Sequence, residues 1–291
     1  MAVAVVNYHY VRPRSGRFAA LNGITPDAFA AQLDLLVPAV APQDVRDGSG
    51  YAFTFDDGLV DHVAHVAPEL ERRRARGFFF VSTASWEGRV LAVHKLHLLM
   101  ASVDVSQLRA AVGGSVDTVQ ARAIYRYDDA AAAELKFLLN RVLAPEDRER
   151  VLSALFAELL GDERAAAREL YLDADACRSL SDRGHVVGLH SHTHLPLVDL
   201  DDTTLRTELE TNAELLRAAI GERPRTIAYP YGAFDGRVKD AARDVGMELG
   251  FTTVRGHVHA ALDTLELPRI DTNDAPGGKR PAPEFALARD G

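Results

Sequence analysis

The stretch Tyr51-Ala52-Phe53-Thr54-Phe55-Asp56-Asp57-Gly58 decides how this chain is read. Tyr51 to Phe55 is a short apolar run with the pattern of a strand, and an Asp-Asp-Gly turn ends it. Downstream, Val63 to Arg76 has helical character, Gly77 stops that helix, and Phe78 to Val81 reads as another buried strand. Upstream, Ala2 to Tyr8 is a continuous apolar run, as in a strand buried on both faces. Thr25-Pro26-Asp27 then opens a helix with a capping residue and Pro at the first helical position, and Phe29, Leu33, Leu36 and Val37 give it one apolar face. This β-α-β-α-β order predicts an α/β fold of parallel strands joined by crossover helices.

From about residue 86 to 170 the alternation lapses. The segment is rich in Ala, Leu, Glu and Arg, with helical spacing such as Leu135, Leu138, Leu139 and Val142, and it reads as a helical insertion within a single domain spanning 1–291. Alternation then resumes with a helix over Asp173 to Arg183, a strand over His185 to Leu189, a helix over Asp202 to Ile220 and a strand over Thr226 to Tyr229. A helix over Asp235 to Val245 and a strand over Leu249 to Val254 follow. The tail, about 272–291, carries Gly277-Gly278 and several prolines and is predicted to be loosely ordered.

At 291 residues and 47% hydrophobic, the chain can bury a full core. Its 33 basic and 42 acidic side chains leave a net charge of −9, which argues against nucleic acid as a partner. The only basic run, Arg72-Arg73-Arg74 with Arg76, suits the solvated end of a helix. Cys177 is the only cysteine, so no intrachain disulfide can form, and its surroundings read as helix, consistent with an idle thiol. No run has the length of a membrane span, and no signal peptide is visible at Met1 to Val6, so a cytoplasmic location is expected.

In parallel α/β barrels, reactive groups gather at the carboxyl ends of the strands. Asp56 and Asp57 lie at such an end, as do His190-Ser191-His192-Thr193-His194, Tyr229-Pro230-Tyr231-Gly232 and His9. Each has a plain reading alone: an Asp-Asp-Gly turn is common, a single histidine is usually a packing group, and Pro-Tyr-Gly makes a tight turn. Together they supply imidazole and carboxylate, the ligand types Zn²⁺ prefers, with a carboxylate left over to act as a base. The pattern points to metal-assisted hydrolysis.

These residues resemble the polysaccharide deacetylase family, also called carbohydrate esterase family four. Thr54-Phe55-Asp56-Asp57-Gly58 matches its first motif, His190-Ser191-His192-Thr193-His194 its His-Ser/Thr-x-x-His motif, and Tyr229-Pro230-Tyr231-Gly232 its Pro-Tyr-Gly motif. The resemblance covers roughly 3–85 and 170–271. It implies a distorted (β/α) barrel and a divalent metal, usually zinc, held by Asp57, His190 and His194, with Asp56 as general base. It also implies an oxyanion contact from the backbone N–H of Tyr231. Tyr229, Pro230 and Trp86 are candidate substrate contacts.

Two departures stand out. Many members carry an Arg two places before the Pro of the third motif, where this chain has Ala228, with Arg225 nearby. Many also take their acid from a late Leu-x-His motif, which the Arg255-Gly256-His257-Val258-His259 stretch does not match cleanly. A circularly permuted branch takes its acid from a Tyr-His pair after the first strand. Tyr8-His9 is similar to that arrangement, followed by the Phe-x-x-Gln-Leu signature at Phe29 to Leu33 and a closing segment at Leu267-Pro268-Arg269-Ile270. His9 is therefore the expected acid, with His257 or His259 as the alternative. The implied reaction is removal of an acetyl group from a small or carrier-linked N-acetylated sugar. The alternatives are an amidohydrolase acting on a cyclic imide, ureide or N-formyl group, or a catalytically silent carbohydrate-binding protein.

Overall fold

A computed structural model describes residues 2–286. Its frame is a sheet of seven parallel strands: β1 (Val3–Tyr8), β2 (Gly50–Phe55), β3 (Phe78–Val81), β4 (Val186–Leu189), β5 (Thr226–Ala228), β6 (Leu249–Phe251) and β7 (Ile270–Asp271). They lie in the order β6-β5-β4-β3-β2-β1-β7. The expected distorted barrel is therefore present. The segment that closes it touches both edges. Leu267 bridges Phe251 of β6, and three residues later Ile270 and Asp271 pair with Val6 and Asn7 of β1.

The strands are buried on both faces, and successive residues serve opposite cores. Val3 and Val5 join Ala52, Phe78, Phe80, Ala228 and Phe251 on one side. Ala4, Val6 and Tyr8 join Phe53, Phe55, Phe79 and Val81 on the other, against the helices. Those helices are α1 (Pro26–Leu33), α2 (Ala67–Arg72), α9 (Ala174–Asp182), α10 (Asp202–Ile220) and α11 (Gly236–Asp244). Thr25 caps α1 as expected, its hydroxyl accepting from the Ala28 N–H. The helix expected over Val63 to Arg76 is shorter. A π turn over His62–Val66 precedes Pro68, and Arg74 adopts a left-handed φ of 57° beyond Arg72.

By backbone proximity the chain divides into two compact units, one of residues 1–13, 23–87 and 168–291 and one of residues 14–22 and 88–167. The second is helical: α3 (Ala92–Ser102), α4 (Val105–Val112), α5 (Thr118–Ile124), α6 (Ala130–Phe137), α7 (Pro145–Leu159) and the start of α8 (Glu163–Leu170). It has its own apolar cluster of Leu96, Leu99, Leu108, Leu135, Leu139 and Leu152. Buried Lys95 links Glu149 at 2.6 Å and Glu163 at 3.1 Å. No helix among the described residues is long and apolar enough to cross a membrane.

The tail differs from expectation as far as residue 286, and its last five residues lie outside the described part. Phe285 is buried in the core, and its carbonyl accepts from the Tyr51 hydroxyl at 3.0 Å. Gln32 binds the carbonyls of Thr272 and Pro276. Glycine and proline make this segment irregular, but side-chain bonds from the barrel fasten it.

Candidate active site

The four polar clusters sit where parallel topology sends them, at carboxyl ends of β1, β2, β4 and β5. The Asp56 N–H donates to the Tyr8 carbonyl at 3.0 Å, prolonging the β1–β2 ladder by one bond. That bond sets His9 beside Asp56, with Nε2 4.0 Å from Oδ2. The His9 side chain is 45% exposed, whereas Asp56 is buried. Gly58 completes the turn with φ of 63°, and a Cβ there would lie 2.8 Å from Val81 Cγ1, so glycine is required on both counts.

Asp57, His190 and His194 converge, their ligand atoms all within 4.8 Å of one another. Nε2 of each histidine stands 3.3 Å from Asp57 Oδ1. Two ligands on a tetrahedral ion at about 2.0–2.1 Å stand about 3.3–3.4 Å apart, so the spacing fits a zinc-sized cation. The tautomer fits as well. His190 Nδ1 donates to the Ala228 carbonyl at 2.7 Å, which leaves Nε2 as the electron-pair donor, the usual outer support of a metal-bound imidazole.

The loop that carries the histidines is strained and tightly fastened. Of the five non-glycine residues with positive φ among the described residues, four are at this site: Asp57, Ser191, His194 and Tyr231. Such conformations persist only where the surroundings over-determine them. Here Asn212 Oδ1 accepts from the His190 N–H at 3.0 Å, while its Nδ2 donates to the Val81 carbonyl and Thr83 Oγ1. Glu208, one turn earlier on α10, accepts from the N–H and hydroxyl of Thr193 at 2.8 and 2.7 Å. The Ser191 hydroxyl accepts from the His194 N–H, and the Ser82 hydroxyl donates to the His190 carbonyl. The Tyr231 ring lies 5.0 Å from the His194 ring, bringing the Pro-Tyr-Gly turn to the metal-ligand trio.

Asp56 stays outside the trio because an arginine holds it. Arg269 Nη1 and Nη2 donate to Asp56 Oδ1 and Oδ2 at 2.8 and 2.9 Å. The guanidinium is fixed in turn by the Thr252 carbonyl, Asn7 Oδ1 and Thr54 Oγ1. Burial pushes the Asp56 carboxyl up, but the charge of Arg269, aided by His190, outweighs it and holds the group below its ordinary value. Arg269 thus pairs with Asp56 from the closing segment, while position 228 is an alanine. Arg225 is not involved and pairs with Glu248 at 2.6 Å. The sequence signal for Arg269 was the Leu-Pro-Arg-Ile segment itself.

The other expected site residues are placed as follows. Tyr229 is fully buried, stacked on Phe234, and its hydroxyl donates to the Leu265 carbonyl. Pro230 is buried as the start of the turn that presents Tyr231. Trp86 packs against the core and donates its indole N–H to the Leu172 carbonyl at 2.9 Å, an anchoring arrangement. His192 lies outside the trio, with Nδ1 on Thr83 Oγ1 and Nε2 3.4 Å from Glu87. His257 and His259 flank Val258, which bridges Val3 at the amino end of β1, the end away from Asp56. Burial above all pushes the Cys177 thiol up to about 12, so it is no nucleophile.

A family model described as polysaccharide deacetylase matches residues 149–250, which include the His-Ser-His-Thr-His loop and the Pro-Tyr-Gly turn. No curated protein matches by sequence. Several solved structures share the fold, among them the following three. A Streptococcus pyogenes deacetylase, PplD, solved with acetate, is 16% identical with a TM-score of 0.58, covering 93% of this chain and 92% of its own. IcaB from Ammonifex degensii is 20% identical with a TM-score of 0.58, covering 99% and 97%. The BpsB deacetylase domain from Bordetella bronchiseptica is 16% identical with a TM-score of 0.56, covering 93% and 95%. The chain is thus similar to polysaccharide deacetylases in sequence over residues 149–250, which hold His190 and His194 of the trio, and in fold over nearly its whole length.

Proposed function

We propose that the protein is a metal-dependent N-deacetylase that hydrolyses the acetamide of an N-acetylated sugar, free or carrier-linked, to acetate and an amino sugar. The carrying observation is a division of labour between adjacent carboxylates. Asp57 faces two imidazoles in metal-ligand geometry, while Asp56 is held aside and ionised by Arg269. Zinc suits the Asp-His-His donor set, and when bound it would acidify a water and polarise the acetyl carbonyl.

The chain's own groups supply the rest. Asp56, kept as carboxylate, accepts the proton of the attacking water. His9, half exposed 4.0 Å from Asp56, delivers a proton to the leaving nitrogen, which departs poorly as an anion. The Tyr231 N–H, on the left-handed residue beside His194, is the oxyanion donor. The test is metal analysis coupled to acetate release across N-acetylated sugars and their conjugates, with cyclic imides as controls. Metal-dependent acetate release supports the proposal. Hydrolysis of imides alone, or failure to take up zinc or cobalt, refutes it.

A further inference from the structure

Gln32, on the last turn of α1, is 1% exposed, and its carboxamide has every hydrogen-bonding position filled. Oε1 accepts from the Tyr8 hydroxyl at 3.0 Å and the Thr272 hydroxyl at 2.8 Å. Nε2 donates to the carbonyls of Thr272 at 2.9 Å and Pro276 at 3.1 Å. These partners are not arbitrary parts of the core. Tyr8 immediately precedes His9. Thr272 immediately follows β7, which itself begins one residue after Arg269.

β7 has little hold of its own. It is two residues long and pairs with β1 only at Ile270 and Asp271, with one further bond from the Thr272 N–H to the Asn7 carbonyl. Strands this short lie below the usual range. Gln32 grips the same segment from the helix side.

Phe29, three residues earlier and therefore on the same helix face, packs edge-on against Tyr8 at 5.1 Å and Phe55 at 5.9 Å. Tyr8 and Phe55 are themselves stacked at 5.3 Å, and Phe55 immediately precedes Asp56. One face of α1 thus grips the residue before His9, the residue before Asp56, and, at Thr272 and Pro276, the segment that leaves the short strand following Arg269.

We propose that Gln32 is a positioning residue for the deacetylation reaction, holding the Arg269 segment in register with the β1 and β2 ends that bear His9 and Asp56. The inference rests on the deacetylase reading above. The Phe-x-x-Gln spacing follows from it: the ring sets the two strand ends side by side, and the amide ties the closing segment to them.

A double-mutant cycle tests the idea, using zinc-loaded protein and the sugar on which the wild type releases acetate fastest. Gln32→Leu is expected to lower kcat about tenfold or more, with KM within about twofold and zinc content unchanged, because displaced catalytic groups cost turnover and not binding. In an Arg269→Ala background the same substitution is expected to cost less than about twofold, since the group it aligns is already gone. Tyr8→Phe, which deletes a single bond, serves if Gln32→Leu does not fold, and is expected to show a smaller loss with the same dependence on Arg269. Equal losses in both backgrounds, or a change confined to KM, overturn the inference while leaving the deacetylase reading in place. A wild type that releases no acetate from any sugar removes both.

Discussion

Arg269 and Asp56 form a two-pronged ion pair across 213 residues of sequence, with both partners buried. A planar guanidinium meets a carboxylate edge to edge, which fixes the direction as well as the charge of the Asp56 side chain. Lysine offers one mobile point charge and cannot reproduce this. Arg269→Lys is therefore expected to lower kcat by up to about 100-fold, the scale of a misplacement of about 1 Å. Zinc stoichiometry should stay at the wild-type value. Arg269→Ala leaves Asp56 buried without its partner and is expected to cost about 3–5 kcal/mol in urea unfolding. Unchanged kcat in Arg269→Lys would contradict this role.

The two adjacent aspartates should separate cleanly in mutants. Asp56→Asn is expected to keep metal and lose about 10²–10⁴ in kcat, the usual contribution of a general base. Asp57→Ala and His190→Ala should lose the metal itself, read by elemental analysis after dialysis. Metal loss in Asp56→Asn would place that residue among the ligands and overturn the assignment.

His192 provides an internal control for the histidine loop. Its ring is engaged by Thr83 and Glu87 and not by the trio. His192→Ala should retain full metal content and lose less than about threefold in kcat. His194→Ala, two residues away, should lose both. Equivalent metal loss in the two variants would show that the trio is wrongly drawn.

His62 sets a pH limit on folding. It lies fully buried between Phe55 and Phe79, each ring 5.7 Å away, with Nε2 donating to the His9 carbonyl at 3.1 Å. Nδ1 has no partner, and burial pushes the group down to about 4. The unfolded chain, with a value near 6.5, binds the extra proton first as pH falls, so His62 favours unfolding progressively below pH 6.5. The full effect at about pH 4 is roughly 3 kcal/mol. Urea unfolding of metal-free protein at pH 7 and pH 4.5 should show a shallower decline for His62→Gln than for the wild type. Identical declines would rule this out.

Much of the centre was legible because its residues follow strands that announce themselves. β3 is wholly apolar, and β1 and β2 are apolar runs broken only by Asn7 and Thr54, so Asp56, Asp57 and His9 could be assigned to one end of a sheet from sequence. Arg269 was visible within its closing segment, but its pairing with Asp56 escaped for a physical reason. β7 is too short to leave a periodic signal, and the partner of Asp56 comes from the far edge of the sheet, a relationship local spacing does not encode. Glu208 and Asn212 escaped differently. On a long amphipathic helix, polar residues read as solvent-facing, yet these two turn inward to hold the Thr193 and His190 backbone. For Tyr229 the motif gives the residue's neighbourhood and not its direction. Its hydroxyl points to Leu265, while the turn delivers Tyr231.

The arrangement at the barrel's seam has a bearing on how the protein is born. Asp56, Asp57, His190 and His194 are all translated by residue 194, but the counter-charge that pairs with Asp56 arrives only at 269, in the segment that touches both sheet edges. A nascent chain halted short of that point would hold the trio without the arginine that pairs with Asp56.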